Sequence, residues 1–313
     1  MALETSAFTS YLAIGNREDL SDIIYNVAPT DTPFLTGIPR AVAEAVLHEW
    51  QTDSLAAASA TNAVLEGDAV TIDAATATTR LSNTCQISDK VPRVTGTQQA
   101  VTKAGRNDEL AYQVVKRTKE IRRDMESSLL ANNIEVTGDA TTVRELGGVP
   151  SWINTSTSFG TGGSAGSLGN TAATDGTQRA FTESQLKTVL AAVWTAGGDP
   201  DCIMVGSFNK QALSTFTGNA TRFKTAEDAK LQASIDIYQS DFGDLEIIPN
   251  RFQPARTAFV FQKDMWAVAY LRPVGMVPIA KTGDSETRQI IVEYTMESRN
   301  EAGSGAVFDL TTS

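Results

Sequence analysis

The sequence predicts an α+β fold: an extended N-terminal portion, one long helix to which later strands return, and a more regular α/β unit between them. Three observations carry this. Residues 107–132, NDELAYQVVKRTKEIRRDMESSLLAN, form the long segment that is free of Gly and Pro and keeps helical periodicity throughout. Residues 51–80 hold nine Ala and six Thr in thirty residues, which leaves too few large apolar side chains for a core of their own. Beyond Thr182, helical and strand patterns alternate at short spacing.

Taken in order, residues 1–39 are broken and extended, apart from 18–27, where Leu20, Ile23, Ile24 and Val27 recur at helical spacing. Pro29, Pro33 and Pro39 stop that helix from continuing. With Phe8, Tyr11, Phe34 and Leu35 scattered along it, this arm is expected to pack on something else. In the Ala/Thr-rich stretch the larger apolar residues are Leu55, Val64, Leu65, Val70 and Ile72. Ala56 to Ala60 could pass for helix, but Glu66-Gly67-Asp68 reads as a turn between two arms, and residues 83–97 return as strand. The expectation is therefore a projecting two-stranded loop. Two arms of fifteen residues at ~3.3 Å each would reach roughly 50 Å. An isolated hairpin of that kind is marginal in water, so it is expected to lie on a neighbouring molecule.

In the long helix Leu110, Val114, Ile121, Met125 and Leu129 form an apolar stripe with Thr118 in the gap. Asn107 is the expected N-cap, and Asp108 and Glu109 put negative charge in the first turn, where the helix dipole favours it. Twenty-six residues at 1.5 Å each would span roughly 39 Å. Lys116, Arg117, Lys119, Glu120, Arg122, Arg123, Asp124 and Glu126 are assigned to the outer face, with Lys116–Glu120 and Arg122–Glu126 as expected pairs. A helix this long suits a spine for other elements and other subunits.

After it, residues 136–151 read as turn and short strand around Gly147-Gly148, and residues 159–178, rich in Gly, Ser and Thr, read as a flexible loop. Thr182-x-x-Gln185 is a capping box opening a helix with Leu186, Val189, Leu190 and Val193 inward, ended by Gly197-Gly198. Cys202 to Val205 is a buried strand, Ser207 caps a helix through Phe216, and residues 245–248 and 259–261 are further strands. Strands then follow at 266–271, 275–280 and 287–296. In the last, Arg288, Ile290, Val292, Tyr294 and Met296 alternate with Gln289, Ile291, Glu293 and Thr295, so at least one face is buried, against the long helix.

Composition narrows function. The chain has 313 residues and a net charge of −11, from 37 Asp and Glu against 26 Lys and Arg, which disfavours a protein that grips nucleic acid by neutralising phosphates. It does not prevent enclosing nucleic acid. Cys85 and Cys202 are isolated and suggest neither a metal site nor a disulfide framework. No signal peptide or membrane span is visible, so a soluble protein assembled in the cytoplasm is expected.

Chemical motifs fail on context. His48, the only histidine, lies in HEWQT, where Thr52 replaces the second histidine of HExxH; a partly exposed strand histidine is the simpler reading. Gly162-Gly163-Ser164-Ala165-Gly166 matches GxSxG, and residues 160–165 match a loose dinucleotide fingerprint, but neither has the strand before and the helix after that such motifs need. The glycosylation triplets at Asn154 and Asn219 lack a secretory signal, and Asp199-Pro200-Asp201 reads as a turn. The run Lys116 to Arg123 reads as a solvated or subunit-facing helix face. No catalytic, cofactor-binding or metal-binding residues are assigned.

The order of arm, projecting loop, long helix, α/β unit and returning strands resembles the major capsid proteins of tailed bacteriophages. DLSDIIYNVAPTDTPFLTGI (19–38), HEWQTDSL (48–55), KEIRRDMESSLL (119–130) and KTGDSETRQIIVEYTMESRNE (281–301) look like one branch of those proteins. The resemblance implies the Hong Kong 97-type capsid fold, with residues 1–40 as N-terminal arm and 41–95 as extended loop. Residues 96–150 with 263–313 would be the peripheral domain around spine helix 107–132, and 151–262 the axial domain. It further implies a structural, non-enzymatic subunit of hexamers and pentamers in an icosahedral shell enclosing double-stranded DNA. A separate scaffolding protein is expected because the chain starts almost at its arm, along with a portal; whether a decoration protein binds is left open by the sequence. Two rival readings are a serine hydrolase using Ser164 with His48, and a secreted fibre or adhesin suited to the Thr/Ala-rich stretch.

Overall fold

The computed structural model describes residues 29–67, 69, 72–216 and 237–312. The helix expected at 18–27, the turn residue Asp68 and the triplet at Asn219 lie outside them. In chain order the elements begin with α1 (Pro33–Gly37), β1 (Arg40–Val42), β2 (Leu47–Thr52), β3 (Thr79–Thr84), β4 (Gln86–Lys90), β5 (Arg93–Thr95) and α2 (Gly96–Ala100). The long helix α3 (Glu109–Leu130) follows, then α4 (Val149–Trp152), β6 (Ser156–Ser158), α5 (Glu183–Thr195), β7 (Cys202–Val205) and α6 (Ser207–Ser214). The chain closes with β8 (Ile237–Ser240), β9 (Gly243–Pro249), β10 (Ala258–Phe261), β11 (Trp266–Ile279), β12 (Ser285–Ser298) and β13 (Gly305–Val307).

These strands make a five-stranded sheet in the order β1-β11-β12-β4, with β5 also on β12, a six-stranded sheet β6-β13-β10-β7-β9-β8, and the short pair β2-β3. The 266–271 and 275–280 segments are one strand, β11, with register shifts between Tyr270 and Arg272 and between Arg272 and Gly275. Pro273 lies in that irregular part, where its missing N–H interrupts the ladder least.

Side-chain alternation sorts the core into two layers. On the six-stranded sheet, Cys202, Met204, Phe259 and Phe261 face a cluster built with Ile121, Met125 and Leu129 of α3 and with Ile290, Val292, Tyr294 and Met296 of β12. Ile203, Val205, Ala258 and Val260 face the opposite way, onto Leu186, Val189, Leu190 and Val193 of α5. The stripe of α3 therefore packs against both sheets. At 22 residues the helix is roughly 33 Å long.

Several local readings change. The N-cap of α3 is Asp108, whose Oδ1 accepts from the Ala111 amide at 3.0 Å, not Asn107. Ser207 is the first residue of α6, with Gly206 at the cap position. The expected two-stranded loop is paired only at its base, over the six pairs from Leu47↔Thr84 to Thr52↔Thr79. Ala and Thr offer too little cross-strand contact to hold a ladder further out. Glu126 is not on the outer face of α3: it is fully buried, and Arg122 is exposed.

The Gly-rich loop is held, against the expectation of a flexible one. It folds on itself through bridges Ser164↔Thr174 and Ser167↔Thr171, and Phe159 stacks on Phe308 with ring centroids 4.4 Å apart. Its anchor is Asp309, whose Oδ2 accepts from the Gly160 amide at 2.9 Å and whose Oδ1 accepts from the Gly176 amide at 2.7 Å. Arg256 adds an ion pair to Oδ1 at 3.0 Å. These bonds hold Asp309 at φ 60°, a left-handed conformation that costs a non-glycine residue about 1–2 kcal/mol.

Candidate assembly interface

The projecting segment is prepared at its base and bare at its tip. Along β2, alternate side chains point inward. His48 Nε2 lies 3.3 Å from Glu297, and Trp50 Nε1 donates to the Ser298 carbonyl at 2.7 Å while its ring sits 5.4 Å from that of Trp152. On β3, the buried Asn83 accepts from the Gly147 amide at 2.9 Å and donates to the Met296 carbonyl at 2.8 Å. Gly148 in turn lies against the end of α3, where a Cβ would fall 2.0 Å from the Ala131 carbonyl oxygen. Beyond the base, Leu55, Val64, Leu65 and Ile72 are 79–98% exposed. Large side chains so fully in water gain nothing within this chain.

A second bare surface is the outer half of the β11–β12 hairpin. β1 pairs with β11 only from Val268 to Tyr270, so the edge of β11 beyond Arg272 has no partner on that side among the described residues. Val274, Met276, Val277 and Ile279 are exposed along it, and Pro273 and Pro278 interrupt its donors. At its root, Glu293 is buried between Arg144 and Arg272, each at 2.7 Å.

The entry of the chain into the fold is fixed by Glu126. Its Oε1 accepts from the Phe34 amide at 2.9 Å and from Asn250 Nδ2 at 2.6 Å, and its Oε2 accepts from the Leu35 amide at 2.7 Å. Thr32, at the cap position of α1, makes no capping bond of its own, and Pro33 has no amide to satisfy. A carboxylate from the long helix thus does the work of an N-cap. Burial pushes the Glu126 carboxyl up from its ordinary value, against the hydrogen bonds from Leu35, Phe34 and Asn250. Sequence reasoning places Glu126 in the charged face, because an acid four residues after Arg122 and followed by Ser127-Ser128 carries no sign of burial.

Part of the exposed charge of α3 is paired or packed within the subunit. Arg117 pairs with Glu120 at 2.6 Å, Lys90 with Asp124 at 2.6 Å, and Arg123 lies over the Phe252 ring at 5.3 Å. The expected Lys116–Glu120 and Arg122–Glu126 pairs do not form. His48 and Ser164 are not joined by a hydrogen bond: His48 is engaged with Glu297, and the backbone of Ser164 pairs with Thr174. Among the described residues no group of three His, Cys, Asp or Glu could hold a metal ion, and no helix is long and apolar enough to cross a membrane. Burial raises the thiol of Cys85 to about 11 and pushes Cys202 up as well, so neither is a ready nucleophile.

A surface with apolar side chains held out in water suits a building block. Residues 4–311 match the SU10 major capsid protein family. The chain belongs to that family. It is similar to the major capsid protein of Escherichia phage Phieco32, 26% identical over 338 residues and covering 96% of each chain. Among solved structures, it superposes on the capsid of cyanophage A-1(L) with a TM-score of 0.65 at 14% identity, covering 97% of this chain and 99% of that one. For Gordonia phage Cozz the TM-score is 0.64 at 10% identity, with 99% and 98% covered, and for the native GTA particle capsid it is 0.64 at 14%, with 96% and 98% covered. The fold is the Hong Kong 97-like α+β capsid fold, and the protein is a structural capsid component, not an enzyme. Neither the hydrolase nor the fibre reading gains support.

Proposed function

We propose that this capsid protein builds hexamers and pentamers of an icosahedral head, and that its projecting segment closes the lattice by lying on neighbouring copies. The exposure of Leu55, Val64, Leu65 and Ile72 on a segment anchored only at its base carries this reading. Contacts that are individually weak become strong when each copy makes several at once.

On this reading residues 1–40 are the N-terminal arm and 41–95 the extended loop. Residues 96–150 with 263–313 form the peripheral domain, and 151–262 the axial domain. β13 then reaches from the first of these into the six-stranded sheet and ties the two together. The shell encloses double-stranded DNA without gripping it, which suits a chain of net charge −11. Assembly takes place in the host cytoplasm, with a scaffolding protein and a portal as partners.

The test replaces residues 53–78 with a short Gly-Ser linker. The account expects a subunit that still melts cooperatively but forms no particles. Loss of the folded state, or undiminished particle formation, would contradict it.

A further inference from the structure

We infer that Glu126 is a positioning residue for assembly: by holding the Phe34 and Leu35 amides against the long helix, it fixes where the N-terminal arm leaves the subunit. This rests on reading residues 1–40 as an arm. The first 28 residues of the chain join the described fold just ahead of this clamp.

The geometry is specific in a way that stability alone does not require. Three donors from two separate segments converge on one carboxylate: two amides at the start of α1 and the side chain of Asn250, just after β9. Asn250 is itself fixed, since its Oδ1 accepts from the Phe252 amide at 2.8 Å. No ion pair reaches Glu126 among the described residues. α1 carries no charged side chain, the neighbouring Arg123 of α3 lies over Phe252, and Arg122 on α3 and Arg251 after Asn250 are exposed. A dehydrated carboxylate without a counter-ion is an expensive way to join two apolar surfaces, and Phe34, Leu35 and Ile38 already bury their side chains in the core. What the carboxylate adds is register. Phe34 and Leu35 can satisfy their amides in only one placement of α1 along α3, whereas apolar contact would tolerate sliding.

The clamp can be separated from ordinary core stability by comparing Glu126→Gln with Asn250→Ala in the full-length chain. The glutamine keeps the size but turns one acceptor into a donor facing an amide. The alanine removes the third donor while both amides remain held. Hydrogen exchange, thermal melting and particle yield from cells producing the chain with the other head genes are read together.

The expected result is that Glu126→Gln speeds exchange at Phe34 and Leu35 at least tenfold relative to core amides and lowers particle yield at least tenfold. Asn250→Ala should lose yield only as far as its melting temperature falls. Equal loss in both, in proportion to melting temperature and with no selective exchange at Phe34 and Leu35, would overturn the proposal. If Glu126→Gln does not fold, the unsubstituted chain decides: the two amides must exchange as slowly as those of α3, and exchange at the rate of free peptide would overturn the clamp. Phe8→Asp with Tyr11→Asp tests the arm itself. If that pair leaves yield untouched, the arm reading fails. If it lowers yield and Glu126→Gln does not, the clamp alone fails.

Discussion

Glu120 and Ile121 are adjacent on α3 and live in opposite surroundings, which makes them a direct probe of which face is core. Ile121 is fully buried in the layer between the sheets, while Glu120 is partly exposed and paired with Arg117. Ile121→Asp places an unpaired charge there and should destabilise the subunit by about 4 kcal/mol or more, leaving it insoluble. Glu120→Gln should change stability by less than about 1 kcal/mol, since it loses only a surface pair. Comparing soluble yield and urea midpoints checks both, and equal tolerance would mean that the stripe does not face a core. At the base of the projecting segment, the hydrogen bond from His48, helped by Arg299, holds the Glu297 carboxyl below its ordinary value. A depressed carboxyl contributes stability above its unfolded value of about 4.3 and loses it as pH falls through the folded value. His48→Ala should therefore lower stability near pH 6 and leave it little changed near pH 3, so that its acid limb is flatter. Urea midpoints between pH 3 and 6 test this, and a difference that stays the same across that range, or no difference at all, would refute the role given to His48.

Among the elements, the Gly-rich loop shows how one residue can order twenty. Asp309→Ala removes the acceptor for Gly160, Gly176 and Arg256 together, so it should cost about 3–5 kcal/mol and open residues 159–178 to protease. A loss below about 1 kcal/mol, with the loop still protected, would show that the loop is held by other means. Much of the fold was legible before any coordinates. The stripe of α3, the capping box of α5, the buried run of β7 and the alternation of β12 are local signals, and each appeared where its periodicity placed it. The Asp309 anchor was not legible, because its partners lie 149, 133 and 53 residues away and Gly/Ser composition records backbone freedom, not what removes it. The Glu126 clamp was hidden for the same reason, with its amides 92 and 91 residues away. The bare tip of the projecting segment was legible, since Ala and Thr cannot form a core in any register; that its ladder would stop at Thr52 was not.

At the scale of the whole molecule, acidic charge and repetition act together. On the proposed reading that the shell encloses DNA, a chain of net charge −11 repeated around it would present a surface that repels DNA and leave a packed genome free to slide. The free subunit should therefore bind double-stranded DNA only weakly at physiological salt in a gel-shift titration, and reversing the charge of Arg117, Arg122 and Arg123 should alter assembly more than DNA affinity. Tight, salt-sensitive binding abolished by those reversals would revive a nucleic-acid-binding role. The central claim is that this chain is made to close on copies of itself, and imaging tests it most directly. Electron microscopy of the chain produced with the other head genes should show closed isometric shells of uniform diameter, each containing hundreds of copies. Dispersed, well-folded subunits with no closed particles under the same conditions would contradict it.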